Sequence, residues 1–138
     1  MPKSKIQFIL LAVLSIFISC TFTTTKTENP EFVDDINLVG KKLDSIISCT
    51  NFNFNGRKVT KNKKTTSEIE ISVTNCQDVP VDENNMKALA KIIATEIKQN
   101  LKDANQYDIY QVLFVTKTES GGIIKRNWVG QVFNSAEL

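Results

Sequence analysis

The 138-residue chain contains no histidine, so both the commonest general base and the commonest metal ligand are missing. Zinc sites of the usual ligand sets and Ser-His or Cys-His nucleophilic pairs are thereby excluded. What remains for chemistry is three cysteines, Cys20, Cys49 and Cys76, and two groups of carboxylates, Asp34-Asp35 and Asp78, Asp82 and Glu83. Neither group has the ligand spacing of a calcium loop. No glycine-rich phosphate loop, nucleophile elbow or Cys-x-x-Cys pair occurs. No catalytic residue, metal site or cofactor is read from the chain, and only an enzyme whose carboxylates assemble in space stays open. The remaining charged feature is a basic run, Arg57, Lys58, Lys61, Lys63 and Lys64. It reads as a solvated hairpin tip, or as a surface for lipid head-group phosphates, lipopolysaccharide or an acidic protein.

Cys20 takes its meaning from what precedes it. Lys3 and Lys5 lead into an apolar run at 6–18, interrupted by Gln7 and Ser15 and closed by Ser19-Cys20. Thirteen residues fall short of the about 20 that a membrane-spanning helix needs, and the flanks are those of an export signal. Phe17-Ile18-Ser19-Cys20 resembles the lipobox of bacterial lipoproteins: apolar, apolar, small, cysteine. Phe17 stands where leucine is commonest. The resemblance covers the first 20 residues and implies cleavage before Cys20 and attachment of diacylglycerol, with palmitate-type acyl chains, to its sulfur. The protein would then be held in the cell envelope by that lipid. Thr21, rather than Asp, after the cysteine tilts sorting towards the outer membrane, facing the periplasm.

With 1–19 removed, Lys3 and Lys5 are lost and basic and acidic side chains balance. A balanced chain argues against nucleic-acid binding, which needs a concentrated basic face. The Thr-rich segment 20–28 reads as a flexible tether, and 29–138 as one domain.

Asn29-Pro30-Glu31 reads as a helix start. Phe32, Ile36, Val39, Leu43 and Ile46 supply a stripe at helical spacing, ending near Ser48. Two segments of period two follow: Phe52 and Phe54 among asparagines, then Ile69, Ile71 and Val73. A turn centred on Asn62-Lys63 sets Phe52 against Val73, Phe54 against Ile71, and Cys49 against Cys76. Opposed positions lie within reach of a disulfide, which an exported chain permits; two free thiols at the hairpin base are the alternative. Asp82 is the expected N-cap of a second helix, with Val81 and Met86 as a staple and Met86, Ala90, Ile93, Ile97 and Leu101 as its buried stripe. Strands near 107–117 and 123–133 close the chain through Gly121-Gly122.

In that last hairpin one face carries Ile109, Leu113, Val115, Ile124, Trp128 and Val132. The other carries Tyr110, Val112, Phe114 and Val129 among polar residues. The first is expected against the helices, which leaves Tyr110 and Phe114 on a binding face. The expected fold is α+β: helix, hairpin, helix, hairpin, giving a four-stranded, mostly antiparallel sheet with both helices on one face. The expected function is a non-enzymatic, lipid-anchored envelope protein that binds another envelope protein or a cell-wall component. An inhibitor of a lysozyme-type or protease-type hydrolase is the second reading, resting on size and address alone.

Overall fold

The computed structural model describes residues 23–138; the segment read as an export signal and Cys20 lie outside them. The order is β1 (Thr23–Glu28), α1 (Ile36–Asp44), β2 (Asn51–Lys61), β3 (Lys64–Thr74), α2 (Glu83–Asn100), β4 (Ile109–Ser120), β5 (Ile123–Asn134) and a short 3-10 turn, Ser135–Glu137. The strands form one sheet in the order β1-β2-β3-β4-β5. β3 and β4 run parallel, connected through α2, and the other neighbours are antiparallel. The class is α+β, but the expected four-stranded, mostly antiparallel sheet is replaced by a five-stranded mixed one.

The extra strand is the Thr-rich segment read as a tether. β1 lacks the apolar alternation that marks a half-buried strand, because it lies mostly exposed at the sheet edge. It is held by its antiparallel register on β2, from Thr23↔Lys61 to Glu28↔Gly56. The first helix also begins later than Pro30 suggests. Residues 31–33 are extended against the end of α2, with Val33 N–H donating to the Asn100 carbonyl (2.8 Å) and Lys102 N–H to that of Glu31 (3.0 Å). Asp35 then caps α1 by accepting from Asn37 N–H at 2.8 Å. Phe32 sits edge-on to Phe54, ring centres 5.2 Å apart.

α2 starts where the sequence says, with Asp82 accepting from Asn85 N–H at 3.0 Å. The staple does not form, since Val81 is 97% exposed. Both two-residue turns have the positive φ that right-twisted hairpins require: Asn62 at 51° and Lys63 at 66°, Gly121 at 58° and Gly122 at 78°.

Val39 and Leu43 of α1 and Ala90, Ile93, Ala94 and Ile97 of α2 pack with Phe54, Ile69, Ile71, Val73, Tyr110, Val112, Phe114 and Phe133 in one core. The expected assignment of the last hairpin's faces is therefore inverted. Tyr110 is 0% and Phe114 6% exposed, so neither belongs to a binding face. The reason lies on the neighbouring strand. The parallel register aligns Ile69, Ile71 and Val73 with Tyr110, Val112 and Phe114, whereas Glu68, Glu70, Ser72 and Thr74 align with Ile109, Gln111, Leu113 and Val115. Burying the face with Glu68 and Glu70 would bury two carboxylates, so the face with Tyr110, Val112 and Phe114 takes the helices.

Candidate functional site

The face of the sheet opposite the helices is uncovered. β2 contributes Asn51, Asn53 and Asn55, and β3 contributes Glu70, Ser72 and Thr74. Together with Thr50, Asn75, Val115, Lys117 and Arg126 they line a shallow trough of about 770 Å³. Strand alternation alone places the three asparagines side by side, because positions two apart share a face. Each amide offers two donors and an acceptor.

The floor of this face is fixed by Arg57. Its Nε donates to Glu68 Oε2 at 2.8 Å, its Nη2 to Gln111 Oε1 at 3.3 Å, and its Nη1 lies 3.8 Å from Glu70 Oε2. At the far margin Asn75, at φ 49°, extends the β3–β4 ladder with its side chain. Its Oδ1 accepts from Lys117 N–H at 2.7 Å and its Nδ2 donates to the Lys117 carbonyl at 3.1 Å.

On β5 the same face carries Arg126, Trp128 and Val132. Trp128 pairs with Val115 and Gly130 with Leu113. A Cβ at Gly130 would come 2.7 Å from the end of the Leu113 side chain, which would have to shift. The Trp128 ring lies beside the gap, 3.8 Å from that position, and remains 65% exposed. Past Val115, β4 has no partner on β3, so β4 and β5 continue as a two-stranded ribbon. Residues 116–129 are exposed throughout, including Ile123, Ile124 and Val129.

The other residues singled out from the sequence fall as follows. Cys49 and Cys76 are joined by a disulfide with Cα atoms 3.9 Å apart. The basic run is divided among three environments. Arg57 belongs to the open face, and Lys58 points to the helix side, 3.0 Å from Glu28. Lys61, Lys63 and Lys64 stand exposed at the β2–β3 tip. No three of the metal-ligating types His, Cys, Asp and Glu sit close enough to hold a metal ion among the described residues.

Two features escaped the sequence. Asn100 is buried; its amide donates to Glu96 O at 2.8 Å and Glu96 Oε1 at 2.9 Å and its Oδ1 accepts from Lys42 Nζ at 2.6 Å. It thus ties α1 to the end of α2, and no local pattern marks it. Tyr107 is buried against Gly56, with its hydroxyl unpaired among the described residues. Burial, then the charge of Glu28, raises its pKa. Comparison of the chain with protein-family models, curated proteins and solved structures returns no match.

Proposed function

We infer that this chain is a lipid-anchored envelope protein whose open sheet face binds a cell-wall glycan. The observation that carries this is an exposed indole, Trp128, on the same face as a ladder of amides and a carboxylate, Asn51, Asn53, Asn55 and Glu70. A sugar ring offers a C–H face that stacks on an aromatic plane and a rim of hydroxyls that both donate and accept. Trp128 supplies the plane, and the asparagines and Glu70 supply partners for the rim. Lys117 and Arg126 at the margin suit carboxylate groups on such a polymer. Glu68 and Glu70 on this face are both drawn to Arg57, and the function proposed is retention of the polymer.

The binding test is co-sedimentation of the mature protein with purified peptidoglycan. Trp128→Ala and Asn53→Ala remove exposed side chains, so folding should hold to within about 0.5 kcal/mol. Each should weaken binding by about tenfold, as an interface anchor does. Unaltered binding by both removes the glycan reading. Anchoring is tested by labelled palmitate, which should enter the wild type and not Cys20→Ala; equal labelling refutes it.

A further inference from the structure

We propose that the β2–β3 tip, Lys61, Lys63 and Lys64, docks on the anionic phospholipid surface that holds the lipid anchor, and so stands the sheet upright with its glycan face away from the membrane. The inference rests on the lipid-anchor reading of Cys20 and adds an orientation that the anchor alone does not set.

The geometry comes from the register of β1. Thr23 pairs with Lys61, so the chain enters the sheet at the β2–β3 turn and not at its other end. Cys20 precedes Thr23 by three residues. A fully extended chain covers at most about 3.6 Å per residue, so the Cys20 Cα can lie no more than about 11 Å from that of Thr23, and its sulfur no more than about 14 Å. The tip lysines are therefore within reach of the head groups whichever way those three residues run.

The tip itself carries cations and no carboxylate, 61–66 reading Lys-Asn-Lys-Lys-Thr-Thr, and the exposed Asp108 carboxylate further along accepts from Ser67 N–H. Lys61, Lys63 and Lys64 are exposed, and positive φ at Asn62 and Lys63 closes the turn so tightly that all three lie within one turn of chain. Of the neighbouring cations, Lys58 is taken up by Glu28 and Arg57 by Glu68. The three tip lysines sit beyond these pairs. The two chains of a diacylglycerol on Cys20 suffice for attachment by themselves, so the lysines set the orientation of the sheet rather than its hold on the bilayer. Each lysine held close to an anionic leaflet favours the docked state by about fivefold.

The opposite end has the opposite character. β4 runs parallel to β3, so the Gly121-Gly122 turn lies at the far end of the sheet from the lysines. The trough, lined by Asn51, Thr74 and Lys117, and Trp128 occupy that half. Docking by the tip holds them outward.

The experiment uses the full acylated chain in vesicles. Asn62→Cys and, separately, Ser120→Cys give one reactive thiol each, since Cys49 and Cys76 are bonded and Cys20 carries the lipid. Energy transfer from a dye at each site to head-group-labelled lipid is measured in phosphatidylcholine alone and mixed with phosphatidylglycerol. Transfer should be high from 62 and low from 120. The signal from 62 should rise with phosphatidylglycerol and fall with salt, or with Lys61, Lys63 and Lys64 all changed to Gln, about fivefold in the docked-to-undocked ratio per lysine. Equal transfer from both sites, or a signal from 62 indifferent to lipid charge and to the Gln changes, overturns the proposal. Dependence on added lipopolysaccharide instead of phosphatidylglycerol overturns the choice of partner. A chain that does not float with the vesicles indicts the anchor reading instead, so the two failures are distinguishable.

Discussion

Gly56→Ala sets two physical effects against each other with opposite signs. Glycine in a strand interior costs roughly 0.5–1 kcal/mol relative to alanine, so backbone preference alone makes the change stabilising. Packing opposes it. A Cβ on Gly56 would overlap the Tyr107 hydroxyl and come 2.7 Å from the Glu28 carbonyl oxygen. Neither neighbour yields cheaply: Tyr107 is 1% exposed, and the Glu28 oxygen belongs to the backbone of β1. Overpacking of this kind costs about 1–3 kcal/mol. The net expectation is a loss of about 1–2 kcal/mol, with packing the larger effect. Tyr107→Phe separates the two contacts. It removes the overlapping oxygen and an unpaired buried hydroxyl, so alone it should be neutral or stabilising. Combined with Gly56→Ala it should restore part of the loss. The part that remains comes from Glu28, and it should appear as faster amide exchange across Thr23–Glu28. The assay is urea unfolding of wild type, both single variants and the double variant by far-ultraviolet circular dichroism, with hydrogen exchange on each. If Gly56→Ala proves as stable as wild type, or more so, then β1 and Tyr107 are not seated on β2 as described.

Reducing the Cys49–Cys76 disulfide, whose ends are 27 residues apart, should cost about 3.5 kcal/mol through freedom returned to the unfolded chain. The urea midpoint should fall by about 1.5 M, and coincident curves with and without reductant would refute this. Stability should also fall in alkali. Burial, followed by the proximity of Tyr107 and Asp103, pushes the Tyr110 hydroxyl up to about 12. The unfolded chain therefore ionises first, so stability is unaffected below about pH 10 and declines between about pH 10 and 12, by about 2–3 kcal/mol for this group. Urea midpoints against pH should show that decline, and Tyr110→Phe should lessen it; an identical slope in the variant contradicts the assignment.

How much of this was legible in the residues depended on where the deciding information sat. The β2–β3 register follows from one local fact, a turn at Asn62-Lys63, plus alternation that matches Phe52 with Val73 and Phe54 with Ile71. Both are contained in a single hairpin, and the disulfide is consistent with them. The faces of the β4–β5 hairpin were not legible from that hairpin, because both rows are half apolar. The row on β3 decides, and reading it required knowing that β3 and β4 are neighbours and parallel. β1 failed differently: Thr23–Glu28 has no apolar face to reveal it, and only backbone pairing makes it a strand. At Pro30 a sound local signal for a helix start lost to tertiary pairing of 31–33 with the end of α2.

These corrections carry the functional argument. With 20–28 as a free tether, the domain could take any attitude to the membrane, and the lysines at 61–64 would be one exposed loop among others. Once β1 is paired from Thr23↔Lys61 to Glu28↔Gly56, the chain enters the sheet at the end that carries the basic tip, which is what gives the proposed anchor an orientation. Inverting the faces of the β4–β5 hairpin does the same at the other end. It withdraws Tyr110 and Phe114 into the core and puts Trp128 outside, on the face that carries Asn51, Asn53 and Asn55. A sheet with a cationic end where the chain enters it and an aromatic, amide-rich face towards the other end is polar along its strands. Such polarity is what the proposed function requires, with a bilayer at one end and a polymer facing the other.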